Sequence, residues 1–382
     1  MSQHVAADNR INATGRWIAP LTALITVVWL SLSRAADFLV YWQAGRALVT
    51  TGWTGVYAIS IATPFKYHPV FAVLSVPFGL MPWAVAKVVW AALSALLVFD
   101  VQRRWRANWR IDAVAIGMGF ICVGHALFWQ YQFGNVDFVM LWLWSVAATT
   151  RRSWVAAICS ATLIALKPFW LALLLAWVVA RRWRLIVEIT AAVVALSLVP
   201  LLAGTASFLV SYQRWFATFA DPADAHNFPK HDNQTWYGLL VRHAATLGHS
   251  LPLLWLVGSG MVGLIWLWQW RNALRVPVAP DQWWQLELSL IPFILWTAPL
   301  SWIHHQILLW PLLAIAWQVG RRERWARATF LISLVLLTVL SQSIIGRAAT
   351  VTVLELGIPL AAFPLVVWWS SARFSRAPFP AL

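Results

Sequence analysis

The stretch "SRAADFLVYWQAGRALV", residues 33–49, follows an unbroken apolar run over 17–33 and places Asp37 directly behind it, in a chain with only 13 acidic residues among 382. A bilayer core takes about 20 mostly apolar residues per helix, so 17–33 reads as a first span. The apolar stretch at 38–49 is too short to cross and reads as a helix lying in the interface. A basic leader, an apolar core and "SRA" at 33–35 also mimic a signal-peptide cleavage site, but the core is longer than an ordinary h-region and is read as a retained anchor. On either reading Asp37 emerges on the outer side.

Composition carries the same message across the chain. The sequence is 61% hydrophobic and 11% charged, with mean hydropathy +0.70, whereas soluble domains carry about 25% charged residues. This is an all-α polytopic membrane protein. A net charge of +15 would point to nucleic acid in a soluble chain; here the arginines stand in short clusters between apolar runs, and membrane topology accounts for them without a nucleic-acid partner. Cys122 and Cys159 fall inside apolar runs, so neither a disulfide framework nor a thiolate metal site is indicated. Many of the thirty tryptophans, Trp17, Trp154, Trp183, Trp302 and Trp325 among them, stand at ends of apolar runs, as an indole with one wet edge would.

Apolar runs between charged breaks give about twelve candidate spans: 17–33, 82–101, 111–130, 134–150, 153–166, 168–180, 185–203, 251–270, 283–299, 304–319, 328–345 and 351–369. With the N-terminus inside, nineteen Lys and Arg collect on the inner side, in Arg10, Arg16, "RRWRANWR" (103–110), Arg151, Arg152, "RRWR" (181–184), Arg271, Arg275, "RRERWAR" (321–327), Arg373 and Arg376. Eight collect outside, and Lys87 lies within a span. The asymmetry puts both termini in the cytoplasm. Residues 1–382 read as a single transmembrane domain with two long outer segments, 34–81 and 204–250. In the first, "PVFAVLSVPFGLMP" (69–82) is interrupted by a proline and predicts a kinked or broken helix.

This topology gathers the reactive side chains on one face: Asp37, Tyr41, Lys66, Tyr67, His68, Asn135, Asp137, Lys167, "HNFPKHDNQTWY" (226–237) and "SWIHH" (301–305). Polar groups at a membrane boundary are costly, so a one-sided collection is a site by default. Each has a plainer reading. Asp37 could cap a helix N-terminus; Lys167-Pro168 could be a snorkelling cation before a helix start; Asp137 reads best as a structural partner of Lys167 or a histidine. Of His304 and His305, adjacent on a helix, only one can face a given cavity. His226, His231 and Asp232 could hold a cation, yet such a loop is commoner as solvated surface. No HExxH, D-x-D, GxxxxGK[ST] or GxGxxG occurs, so neither a metal nor a nucleotide cofactor is expected. An enzyme here needs an energised, lipid-delivered substrate.

Asp37 with Tyr41, "PFKYHP" (64–69), "QFGNVDF" (132–138), "LKP" (166–168), "NQTWYGLLVR" (233–242) and "PLSWIHH" (299–305) occur in the order found in glycosyltransferase family 87, which the chain resembles from about Asp37 to His305. The resemblance implies a GT-C-like bundle with interface-lying helices in the first outer loop and an active site at the outer membrane boundary. It also implies a polyprenyl-phosphate sugar donor, typically mannose, a lipid or cell-envelope glycan acceptor, and transfer with inversion in a bacterial plasma membrane. Asp37 is then the general base. Lys167, His304, His305 and Lys66 are the expected phosphate ligands. Tyr41, Tyr67, Asn135, Asp137, Asn233, Gln234, Trp236 and Trp302 are the expected sugar and acceptor contacts. The family pattern Gly-Gln-x-Asn is replaced here by Gly134-Asn135-Val136-Asp137, a shorter amide followed by an acid. The rival is a transporter or flippase of lipid-linked glycans, which usually binds at the bilayer midplane; Lys87 and Glu188, both mid-span, are the features that favour it.

Overall fold

A computed structural model of the chain describes residues 17–58, 64–219, 227–244, 250–272, 278, 282–298 and 301–376, and these are helical almost throughout, with a single β-bridge, Asn233 to Trp302. Arg10, Arg16, Arg275 and His226, used in the sequence reading, lie outside the described residues. The elements that build the site are α1 (Ile18–Leu32), α2 (Ala36–Thr50), α3 (Pro69–Gly79), α4 (Trp83–Trp109), α5 (Ala113–Cys122), α6 (Gly124–Phe133), α7 (Asp137–Thr149) and α8 (Ser153–Leu166). Further along come α9 (Trp183–Leu198), α10 (Thr205–Phe219), α11 (Trp236–Arg242), α12 (Leu251–Gln269) and α13 (Trp283–Thr297).

Among the described residues, three helices are individually long and apolar enough to cross a membrane: α4, Trp183–Ala203 and α12. Three bent pairs bring the number to six. The expected set of about twelve spans goes beyond this number, and several of its apolar runs are broken for local reasons. The run 111–130 divides into α5 and α6, bent by 73°; the Cys122 carbonyl at the break accepts the Thr338 hydroxyl at 2.8 Å instead of a helical N–H. The runs 153–166 and 168–180 are separated by extended Lys167 (φ −144°, ψ 107°), the conformation favoured before a proline. The run 304–319 begins as a 3₁₀ turn, Ile303–Leu309, before Trp310–Gly320 continues as α-helix.

The first bend is where the quoted stretch sits. Helices α1 and α2 meet at 70°, and Ala35 between them takes a left-handed conformation (φ 48°), which costs a non-glycine residue roughly 1–2 kcal/mol. The bend is held from α4, where Lys87 Nζ donates to the Ser33 carbonyl at 3.0 Å. Mid-span Lys87 thus caps a broken helix, and Glu188 pairs with Arg184 at 2.8 Å and accepts from Ser153. Neither needs a transported ion. Helices α2 and α3 then pack backbone to backbone: a Cβ at Gly45 would stand 2.2 Å from the Ser75 carbonyl oxygen. Pro77, expected to break the second stretch, is accommodated inside the last turns of α3.

The two long segments 34–81 and 204–250 touch. Tyr212 of α10 meets His68 Nε2 at 2.9 Å, and Trp215 Nε1 donates to the Lys66 carbonyl at 3.2 Å. Towards the opposite end of α4, about 30 Å from Trp83 at 1.5 Å per residue, Arg103 and Arg104 pair with Asp100. Tryptophan divides between two environments. Trp17, Trp154, Trp183 and Trp325 are exposed, as anchors should be, whereas Trp105, Trp144, Trp170, Trp177, Trp266 and Trp310 are fully buried. The anchoring expectation for most of the thirty is corrected accordingly: a bundle this apolar uses indoles as filler as well as belts.

Candidate active site

The site is built where two chain breaks abut. Gly134 ends α6 in a left-handed conformation (φ 64°), and a Cβ there would lie 3.2 Å from Phe38 Cβ and 3.3 Å from Ala35 Cβ. Trp90 Nε1 of α4 donates to the Gly134 carbonyl at 2.9 Å. Helix α4 therefore holds both breaks, through Lys87 and Trp90, one turn apart. A polar residue follows each break closely: Asp37 in the first turn of α2 and Asn135 just before α7.

Asn135 Nδ2 donates to Asp37 Oδ2 at 2.6 Å and lies 3.0 Å from His304 Nε2. Burial pushes the Asp37 carboxyl up to about 6, against the opposing influence of the Asn135 hydrogen bond and of the Lys167 charge. Lys167 places its Nζ 4.9 Å from the centroid of the Tyr67 ring, a cation–π geometry, and Tyr67 shares a 2.7 Å hydroxyl hydrogen bond with Tyr41. These groups surround a cavity of about 330 Å³, whose wall includes Asp37, Tyr41, Lys66, Tyr67, Asn135, Lys167, Trp302 and His304. Two carboxylates, three lysines and a histidine border this one space: Asp37 and Asp232, Lys66, Lys167 and Lys230, and His304.

The remaining expected ligands are placed elsewhere. His305 and Asp137 are buried behind the wall, where His305 Nδ1 meets Asp137 Oδ1 at 2.8 Å. The 3₁₀ turn explains the division: at three residues per turn, His304 faces the cavity and His305 the interior. Asn233 Oδ1 accepts from the Ser301 backbone N–H at 3.0 Å, and Gln234 Nε2 donates to the Leu354 carbonyl at 3.2 Å. Trp236 stacks on Trp296 and donates to the Leu254 carbonyl at 3.1 Å. Asp137, His305, Asn233, Gln234 and Trp236, expected as substrate contacts, do not line the cavity. Asn233 and Gln234 pin segment 232–234 to 301–303, which brings Asn227, Lys230 and Asp232 to the cavity rim.

Trp129 and Phe133 also line the cavity and were not foreseen. Their i, i+4 spacing on α6, directly ahead of Gly134-Asn135, was the available signal. The rings stack at 5.4 Å, and Trp129 Nε1 donates to His125 Nε2 at 2.9 Å. Asp137, His304 and His305 bring one potential metal-ligand atom each within 4.8 Å of one another. Hydrogen bonding already engages these groups: His305 with Asp137, and His304 with Asn135. The exception is Asp137 Oδ2, buried without a hydrogen-bond partner, which feels the Lys167 charge.

The profile of glycosyltransferase family 87 matches residues 65–302. The chain belongs to glycosyltransferase family 87. It is a membrane glycosyltransferase, and the family match runs from the segment carrying Lys66 and Tyr67 through Asn135 and Lys167 to Trp302. Asp37, Tyr41 and His304 lie outside that match and are brought to the site by the fold. Among curated relatives, the polyprenol-phosphate-mannose-dependent alpha-(1-2)-phosphatidylinositol mannoside mannosyltransferase of Mycobacterium tuberculosis is 24% identical over 336 residues, covering 81% of this chain and 77% of its own. The corresponding pentamannoside mannosyltransferase of Mycolicibacterium smegmatis is 26% identical over 337 residues, with the same coverage of each chain. No solved structure matches the chain significantly.

Proposed function

We propose that this family 87 glycosyltransferase moves a mannosyl residue from a polyprenyl-phosphate donor to a hydroxyl of a lipid-linked or cell-envelope glycan, with inversion at the anomeric carbon. The observation that carries the reading is the convergence of Asp37, Lys167 and His304 on one cavity. The names of the relatives support the donor class.

In the proposed step, Asp37 takes the acceptor hydroxyl proton as the oxygen attacks the anomeric carbon. The bond from that carbon to the phosphate oxygen breaks, and its electron pair leaves with polyprenyl phosphate. A positioned base contributes typically 10²- to 10⁴-fold. Charge growing on the departing phosphate is met by Lys167 and His304, fixed before the reaction begins. Lys66 stands at the same cavity for the donor, and Tyr41, Tyr67 and Trp302 offer ring edges and faces to the sugars. Burial of Asp37 suits the role, because a carboxyl with a pKa near 6 is a stronger base than an ordinary one and still ionised at neutral pH.

The positive-inside asymmetry supports both termini cytoplasmic and the site outward, and the family and its bacterial relatives support a plasma-membrane, GT-C-like bundle of about twelve crossings. The test is reconstitution of the full chain with polyprenyl-phosphate mannose and glycolipid acceptors. The expected product carries one added mannose in the anomeric configuration opposite to the donor's. Retention of configuration, or uptake without transfer, contradicts the proposal.

A further inference from the structure

Asn135 cannot serve as a sugar ligand while its present contacts stand. Its Oδ1 accepts the Val136 backbone N–H at 2.6 Å, and its own carbonyl accepts Gln130 Nε2 at 2.6 Å. The first contact fixes which end of the amide is which, so Nδ2 faces the site with two hydrogens and no lone pair. One hydrogen goes to Asp37 Oδ2 at 2.6 Å, and the other points to His304 Nε2 at 3.0 Å. An amide nitrogen donates and does not accept, so His304 Nε2 is the acceptor and its ring proton resides on Nδ1. Asp137 Oδ2, 3.9 Å from the same Nε2, is too distant to hold a proton there. Nδ1 has no acceptor among the described residues, in a ring that lines the cavity.

We infer that Asn135 is a positioning residue that locks His304 as the neutral Nδ1–H tautomer, so that His304 serves the leaving phosphate as an uncharged hydrogen-bond donor while Lys167 supplies the positive charge. The inference deepens the proposed glycosyl transfer and rests on it for the identity of the phosphate; the tautomer itself does not depend on that reading. One amide thereby couples the acceptor side, through Asp37, to the donor side, through His304. By the same geometry, a carboxylate at 135 would repel Asp37 and accept a proton from Nε2, reversing the tautomer.

Glutamine mimics the locked tautomer, with a carbonyl to accept from Asn135 and an NH₂ to donate into the cavity, whereas alanine has neither. In full-length protein assayed with polyprenyl-phosphate mannose, His304→Gln is expected to keep kcat within about tenfold of wild type and His304→Ala to lose about a hundredfold or more. Asn135→Ala is expected to move the acid limb of kcat/KM upward, since the lost N–H favoured ionised Asp37. Nitrogen-15 spectra of histidine-labelled protein read the tautomer whatever the activity; the signal lost in folded, monodisperse His304→Gln should be that of an Nδ1-protonated neutral ring at pH 7. An Nε2-protonated or doubly protonated ring overturns the inference, as does a His304→Gln variant no more active than His304→Ala beside an active wild type. An inactive wild type with the expected spectrum counts against the proposed function and leaves the tautomer lock standing.

Discussion

Asp37 Oδ2 and Asn135 Nδ2 belong to residues 98 positions apart in the chain and meet at 2.6 Å. Their meeting depends on two helix ends, at Ala35 and Gly134, lying against each other. The hydrogen bond favours the ionised carboxylate while burial opposes it, and burial is the larger influence.

A pH dependence follows. If Asp37 is the base as proposed, it must be ionised, and its carboxyl is raised to about 6, so kcat/KM should climb as pH rises through about 6 and then level off. A pH–rate profile with its acid limb near the ordinary carboxylate range of about 4 would show that Asp37 titrates as an exposed acid.

Lys167 should matter for donor recognition. Removing a charged hydrogen-bond donor costs about 1.5–3 kcal/mol, so Lys167→Met is expected to raise the donor KM roughly 10- to 150-fold. Acceptor KM should change little. An unaltered donor KM would remove Lys167 from the phosphate site.

The close approach of α2 and α3 predicts a stability effect away from the chemistry. Gly45→Ala introduces a methyl 2.2 Å from the Ser75 carbonyl oxygen, and overpacking of this kind costs about 1–3 kcal/mol. Thermal unfolding in detergent should show a lowered midpoint; an unchanged one would mean that the helices separate freely.

Much of the site was legible because the chemistry-bearing residues of a mostly apolar chain stand out. Asp37, Lys167 and His304 were visible as costly groups at span ends, and they line one cavity. What could not be read was which way neighbouring side chains turn. A 3₁₀ turn sends His305 inward, and Asn233 and Gln234 spend their amides on backbone groups of distant segments. The breaks within apolar runs were hidden for a related reason: hydropathy sees apolar length, and a break such as that at Cys122 depends on a hydroxyl arriving from Thr338.

The contacts of Asp137 and His305 predict the response to chelation. Because these groups are held by a hydrogen bond, EDTA should leave transfer unchanged. Loss of activity restored by a divalent ion would instead make Asp137, His304 and His305 a metal site.

The central claim is that Asp37 is the base for mannosyl transfer, and the most direct measurement is single-turnover transfer from polyprenyl-phosphate mannose by wild type and Asp37→Asn. The amide keeps size and can still meet Asn135 but cannot take a proton. The expected result is a chemical step slowed by about a hundredfold or more with donor affinity preserved. An Asp37→Asn protein that transfers mannose at the wild-type rate would contradict the account.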